Sequence, residues 1–264
     1  MWGWNKRRRQ RLMQRPMPAA WLHVLQLNIP YYPCLSAAQR RQLEGLIQVF
    51  LAEKHFEGCG GLEITDEIRV TIAAQACLLL LGREPDFYPG LDSILVYPHT
   101  FVSKISQRQP DGTVWEGDQA RLGQSSPHGS VVLAWDAVLN GTVHAHDGQN
   151  VVFHEFAHQL DSQSGTMEGL PVLPGHAKYD AWAHVLGKQY AALLADIQAH
   201  KPTFLNPYGA TNPAEFFAVV TEYYFEKPLA LKTNYPELFE QLKLFYVFDP
   251  SQLDPHCLDQ VEHS

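Results

Sequence analysis

The chain has 264 residues, of which 45% are hydrophobic and 18% charged, a composition that is typical of globular proteins and excludes a disordered or fibrous one. The formal net charge is −8, and the longest apolar run, Ala76–Leu81, is far too short to cross a membrane. The four cysteines form no Cys-x-x-Cys pair, so we expect free thiols in a reducing compartment.

The charge is concentrated at the N-terminus. One lysine and five arginines give the first fifteen residues a charge of +6, whereas the remaining residues carry 14 basic and 28 acidic side chains. An acidic body argues against direct binding of nucleic acid, and we expect residues 1–20 to form a basic, disordered tail. No continuous apolar segment or small-residue cleavage site follows this tail, so we expect a cytoplasmic protein.

The predicted elements mix strands and helices. Ser36 is a good N-cap for a helix to about Glu53, and a second, buried helix is expected from Asp66 to Leu81. Short strands are expected at 94–97 and 131–135. Helices are then expected at roughly 150–163, 178–199, 213–226 and 236–246, and a loosely held tail at 250–264. The sequence therefore predicts an α+β fold with one domain over 21–249, which has strands up to about residue 136 and helices after it.

A His-Glu-x-x-His sequence lies in the helix expected at 150–163. Residues four apart share a helix face, so His154 and His158 can bind one cation, and two imidazoles with a carboxylate suit zinc. Glu155 lies beside the first histidine, where it can take a proton from water as a general base. The alternative is an amphipathic helix whose histidines face solvent or are satisfied in the core, which leaves Glu155 without a role.

The third ligand is less clear from the sequence alone. A metzincin would continue with glycine at position 161 and histidine at 164, but this chain has Asp161 and Ser164, which excludes that class. A later helix offers Glu215 and Glu222, which are seven residues apart and therefore on one face. Their spacing does not choose between them, and a solvated acidic stripe is the alternative for both. Asp161 is either an orienting partner of a ligand histidine or a surface acid at the helix end.

These residues carry a family resemblance. The matching stretches are 154–161 and 212–219 with Tyr223, together with Ile29-Pro30, Leu43–Leu51, Val96-Tyr97-Pro98, Gly123-Gln124-Ser125 and Val131–Trp135. They resemble the Mlc titration factor A family of bacterial zinc peptidases over most of the chain, and the catalytic half is also similar to the protease domain of anthrax lethal factor. The resemblance implies a gluzincin-like α+β metallopeptidase fold with a small sheet and a helical half.

The resemblance also implies roles for individual residues. One zinc ion per chain would be bound by His154, His158 and Glu215, with Glu155 as the general base. Tyr208 would lie near the metal and donate to the oxyanion. Glu222 would then contact an imidazole N–H of a ligand histidine.

Two functions follow from the same resemblance. The first is a zinc-dependent, aminopeptidase-like enzyme that hydrolyses peptides and also binds the repressor Mlc, which modulates expression of the glucose phosphotransferase system. The second is a non-catalytic protein that sequesters the repressor and retains its zinc site. For a peptide substrate, the strand at 131–135 is the expected edge along which an extended chain would lie.

Overall fold

The computed structural model describes residues 2–108, 114–121, 123–126, 129–173 and 177–253. The helices in these ranges are α1 (Trp2–Met13), α2 (Ala19–Asn28), α3 (Ala37–Glu53), α4 (Asp66–Leu78), α5 (Trp135–Val143), α6 (Val151–Asp161), α7 (Ala177–Gln198), α8 (Pro213–Glu226), α9 (Pro228–Asn234) and α10 (Pro236–Tyr246). The strands are β1 (His55–Gly58), β2 (Ser93–Tyr97), β3 (Phe101–Arg108), β4 (Val114–Arg121), β5 (Gly123–Ser126) and β6 (Ser130–Ala134). None of the helices in the described ranges is long and apolar enough to span a membrane.

The main sheet has the strand order β1-β2-β6-β5. Strands β1, β2 and β6 are parallel, and β5 runs antiparallel to β6 at one edge. The register pairs Ile94 with Val131 and Val96 with Leu133, and all four side chains are buried because alternate residues of a strand face the core. Strands β3 and β4 form a separate antiparallel pair. The α+β fold class predicted from the sequence is confirmed.

Aromatic packing holds α6 between α3 and α8. Phe156 lies against Phe50 of α3 and against Tyr88, with ring centroids 5.8 and 4.9 Å apart. One turn earlier on α6, Phe153 packs on Phe225 of α8 at 5.1 Å. Because these rings are fully or almost fully buried, α6 and α8 are held at a fixed separation by close packing.

Most element boundaries agree with the sequence prediction. The Ser36 cap of α3 forms a full capping box with Gln39, and α8 and α10 begin and end where expected. Helix α4 ends at Leu78 rather than Leu81, because the chain turns there and reaches Gly82 with a φ of +88°. The strand expected at 131–135 ends at Ala134, and Trp135 begins α5.

The expected disordered tail over residues 1–20 is wrong, since α1 is a helix that packs on α3. Arg9 donates to both carboxylate oxygens of Glu53 at 2.9 and 2.8 Å, and Leu12 packs against the core. Met13 lies so close to Gly45 of α3 that a Cβ on the glycine would be 3.0 Å from the Met13 carbonyl oxygen. The high charge of this segment hides a short apolar face that is sufficient for docking.

Two further expectations need correction. The tail from 250 is not loose at its start, because Pro250 and Leu253 are buried; residues 254–264 lie outside the described residues. Cys59 and Cys77 are free thiols, but Cys34 is disulfide-bonded, and Cys257 lies outside the described residues. Sequence spacing could not reveal that Cys34 is disulfide-bonded, because a disulfide depends on which distant segments meet in the fold.

Candidate active site

The start of α6 is fixed by a buried cap. The side-chain oxygen of Asn150 accepts the backbone N–H groups of Val152 and Phe153 at 3.1 and 3.0 Å. Its side-chain amide donates to Gln75 Oε1 of α4 at 2.8 Å. The helix that carries the His-Glu-x-x-His sequence is therefore anchored to the core by its own N-cap.

The structure brings the three predicted metal ligands together. His154 and His158 lie one turn apart on α6, with ring centroids 4.9 Å apart. Both Nε2 atoms point at Glu215 Oε2, at 3.0 Å from His154 and 3.3 Å from His158. One candidate ligand atom from each residue lies within 4.8 Å of the others, so the group could hold a metal ion.

Glu215 and Glu222 both contact His154, but on opposite sides of the imidazole. Glu215 lies in the first turn of α8, where Asn212 caps the helix by accepting the Glu215 backbone N–H at 3.0 Å. Glu222 follows two turns later, and its Oε1 accepts from His154 Nδ1 at 2.8 Å. Its Oε2 accepts the backbone N–H of Asn150 at 2.6 Å. The predicted contact between Glu222 and the imidazole of one of the two motif histidines is observed at His154.

The pKa values of the ionisable side chains in the site are shifted in different directions. Burial lowers the pKa of His154, but the charge of Glu222 and hydrogen bonds to both acids raise it well above its ordinary value. Burial raises the pKa of Glu215, but hydrogen bonds from His154 and His158 hold it well below its usual range. Burial raises the pKa of Glu155, and the nearby histidines offset this only in part. The pKa values of Glu155 and Glu215 are therefore shifted in opposite directions.

Tyr208 lies in a 3-10 turn, Pro207–Ala210, that faces the cleft. Asn206 fixes this turn by accepting the Tyr208 backbone N–H at 3.0 Å. The Tyr208 ring is 5.9 Å from the His154 ring, centroid to centroid, and the residue is 47% exposed. The phenol is thus positioned beside the three converging side chains with access to a ligand in the cleft.

Asp161 does not orient a ligand histidine. It is fully buried, and its carboxylate accepts the backbone N–H groups of Gly169 and Leu170, each at 2.7 Å. His158 Nδ1 is buried with no hydrogen-bond partner among the described residues. Asp161 instead accepts from two backbone N–H groups of the loop after α6. Asp161 therefore holds the loop that forms one wall of the cleft.

The site opens into a cavity of about 900 Å³. Asp136 and Glu168 are exposed acids in its lining, and no lysine or arginine is present among the described lining residues. The other side chains that line it around the site are mainly amides and small apolar groups: Asn140, Gln149, Val151, Met167, Asn206, Asn212, Pro213, Ala214 and Val219. The cleft therefore presents an acidic surface.

The strand expected as the sheet edge is not at the edge. β6 lies between β2 and β5, because β5 returns antiparallel and covers it. The edge beside α6 is β5, whose Gly123 lines the cavity next to Glu155. The expectation that residues 131–135 form the edge of the sheet is therefore wrong, and β5 forms that edge.

Sequence reasoning also missed residues that contribute to the cleft. Gly123 appeared only as part of a family stretch, although a glycine that opens a strand is a signal of close backbone approach. Asp136 and Glu168 carried no signal, because their elements meet only in the folded chain. Asn150 was identifiable, since asparagine immediately before a helical pattern is a common N-cap.

Comparison with known proteins places this geometry in a family. The family model described as glucose-regulated metallo-peptidase M90 matches residues 4–247, a range that contains every residue of the candidate site. The chain belongs to this family. The family assignment made from the sequence motifs is confirmed, and it agrees with a group of two histidines and a glutamate that could hold a metal.

The relatives of this protein within the metallopeptidase family align with most of its chain. An uncharacterized protein of Synechocystis sp. is 44% identical over 256 residues, which are 95% of this chain and 92% of the relative. Mlc titration factor A of Klebsiella pneumoniae is 32% identical over 232 residues, 86% of this chain and 85% of the relative. Mlc titration factor A of Escherichia coli is 29% identical over 236 residues, 88% of each chain.

Proposed function

We propose that the protein is a zinc-dependent peptidase with one zinc ion per chain, bound by His154, His158 and Glu215. The observation that carries the proposal is the convergence of two imidazole Nε2 atoms on one carboxylate oxygen beside the buried Glu155, within an open cavity. Structural zinc sites usually include thiolates, and this group contains none, which favours a catalytic site.

The donor atoms fit such an ion. Donors at tetrahedral zinc, each about 2.0–2.2 Å from the metal, are separated from one another by roughly 3.3 Å. The separations of 3.0 and 3.3 Å between the imidazole nitrogens and Glu215 Oε2 are close to this value. Glu222 on His154 Nδ1 is the carboxylate partner that ligand histidines commonly have. When bound, zinc supplies a Lewis acid that activates water and polarises a peptide carbonyl.

The residues of the chain supply the remaining chemistry. Glu155 takes the proton from the attacking water and returns it to the leaving amine, for which its burial and raised pKa are suited. Tyr208 donates its phenolic O–H to the oxyanion that develops on the carbonyl oxygen. Glu222 fixes the orientation of the His154 ring.

The substrate is a peptide, and we propose an aminopeptidase-like preference. The edge strand β5 offers backbone groups to an extended chain, and such pairing is independent of side-chain sequence. The exposed carboxylates of Asp136 and Glu168 and the absence of lysine and arginine among the described lining residues favour a positively charged α-amino group.

Metal analysis combined with two substrate sets tests this function. Purified protein should contain about one zinc ion per chain and cleave aminoacyl reporter substrates, and a chelator should abolish the cleavage until zinc is restored. The matched set is the same peptides with a blocked N-terminus, which an aminopeptidase leaves intact. Zinc-loaded protein that cleaves neither set would contradict the peptidase function, and equal cleavage of both sets would contradict the preference.

The second candidate function is repressor binding. Two of the relatives described above are named Mlc titration factor A, and this supports binding of an Mlc-type repressor in the cytoplasm. Titration of the purified protein with such a repressor should show a complex by calorimetry. If Glu155→Gln binds the repressor as the wild type does while peptide hydrolysis is absent from both, the non-catalytic alternative is the correct one.

A further inference from the structure

Gly123 of the sheet lies directly against the proposed general base, Glu155. It is the first residue of β5 and pairs with Leu133 of β6, so its place in the sheet is fixed by the strand register. From there its Cα faces α6 at the turn that carries Val151 and Glu155. The edge of the sheet and α6 are therefore in direct contact at Gly123.

There is no room for a side chain at this position. A Cβ on Gly123 would lie 2.7 Å from Glu155 Oε1, 2.8 Å from Glu155 Cγ and 2.7 Å from Val151 Cγ2. Its backbone is not among the positive-φ conformations, so the local geometry would accept any L-residue. The glycine is thus required by the space that Glu155 occupies and not by the conformation of the strand.

We propose that Gly123 is a positioning residue for Glu155: the missing side chain leaves the space in which the carboxylate lies, between β5 and α6 on the cleft side of the helix. The inference rests on the proposed role of Glu155 as general base. A methyl group at this position forces the carboxylate out of that space, and the three atoms nearest to it belong to Glu155 and Val151 and not to the three proposed metal ligands.

Gly123→Ala tests this role kinetically. Zinc content and KM should stay close to those of the wild type, while kcat falls about 10²-fold, since a displacement of about 1 Å in a reacting group costs this much. Gly90→Ala is the matched control, because a Cβ on Gly90 meets no atom within 4 Å and its φ is not positive. Adding Val151→Ala to Gly123→Ala removes one close contact and should restore part of kcat. An unchanged kcat in Gly123→Ala would overturn the proposal.

A second measurement does not depend on activity. Thermal unfolding of Gly123→Ala is compared in the wild-type background and in Glu155→Ala, where two of the three close contacts are gone. Gly123→Ala should lower Tm about half as much in the Glu155→Ala protein as in the wild type, because substitutions of contacting residues are energetically coupled. Equal losses in both backgrounds would overturn the positioning of Glu155 by Gly123. If the two substitutions are coupled in Tm but the wild type hydrolyses no peptide, the proposed function would be wrong, while the contact between Gly123 and Glu155 would still be supported.

Discussion

Glu222 contacts both α6 and the residue before it: its Oε1 accepts from His154 Nδ1 at 2.8 Å, and its Oε2 accepts the backbone N–H of Asn150 at 2.6 Å. Asn150 is the residue that caps the same helix. The carboxylate therefore sets the rotation of the imidazole relative to the helix start. Glu215, seven residues earlier on α8, contacts the other nitrogen of the same ring.

We predict that Glu215→Gln and Glu222→Gln differ in zinc binding. Glu215→Gln should lose most of its zinc affinity, because the proposed ligand oxygen loses its charge. Glu222→Gln should bind zinc about 10- to 100-fold more weakly, and its metal site should still be fully occupied in excess zinc. The new amide oxygen still accepts from His154, but the side chain can no longer accept from both His154 and the backbone N–H of Asn150. Zinc titrations, with circular dichroism to verify folding, measure both affinities. The reverse order of affinities would contradict the assignment of Glu215 as the ligand.

Glu155→Gln should keep zinc and lose catalysis. The amide has nearly the size of the carboxylate but cannot take a proton, so hydrolysis should fall by about 10²- to 10⁴-fold. Turnover and metal content are measured on the same preparation. Near-normal turnover would exclude Glu155 as the base.

Tyr208→Phe should reduce kcat on the order of 10²-fold, because it removes one hydrogen-bond donor to the developing oxyanion. The ring is 47% exposed, so loss of the hydroxyl opens no cavity, and zinc content should be unchanged. Steady-state kinetics separate the roles: a raised KM with unchanged kcat would show that Tyr208 positions the substrate instead.

Asp161→Asn should affect stability and leave the metal site intact. The buried carboxylate accepts from Gly169 and Leu170, and the asparagine amide can replace only one of these acceptors, which costs about 1–3 kcal/mol of unfolding free energy. Denaturant unfolding measures the loss, with the exposed Asp136→Asn as control. If Asp161→Asn instead lowered zinc affinity without lowering stability, the sequence hypothesis that Asp161 orients an imidazole would be correct.

Glu226→Gln should change how stability depends on pH. Burial and the charges of Glu222 and Asp147 raise the pKa of Glu226 well above its ordinary value of 4.5. The folded chain then keeps a proton that the unfolded chain releases, so this stabilisation is complete below pH 4.5 and is lost as the pH rises through the folded pKa. Glutamine keeps an oxygen for the Gly148 N–H, at present 3.1 Å from Glu226 Oε2.

Tm measured from pH 4.5 to 8 tests the prediction. The wild type should lose stability relative to Glu226→Gln as the pH rises, and the exposed Glu240→Gln should follow the wild type. A constant difference between wild type and Glu226→Gln over this range would contradict the raised pKa.

Local signals explain what the sequence could predict. Helix α8 was placed at its observed bounds because Asn212 and Pro213 mark its start, and His154 and His158 share a face by helix geometry alone. The choice of Glu215 over Glu222 rested on the family resemblance and on the place of Glu215 in the first turn of the helix, because the spacing of the two acids alone does not choose between them.

The remaining errors concern contacts between distant segments. The carboxylate of Asp161 binds a loop eight residues away, and sequence could not distinguish this from a contact with His158. The placement of β5 outside β6 depends on a return of the chain that has no local signal. Gly123 is important only because α6 passes beside it, so its role is visible only in three dimensions.

The docking of α1 on α3 changes how the protein should be prepared. A basic leader would ordinarily be removed before crystallisation or assay, since trimming a solvated tail leaves the fold intact. Here the same trimming would leave Glu53, whose side chain is 18% exposed, without Arg9, and would uncover the surface of α3 around Gly45. Shortened versions of the protein that begin near residue 20 should therefore aggregate more readily than the full chain, because they expose apolar surface that α1 normally covers.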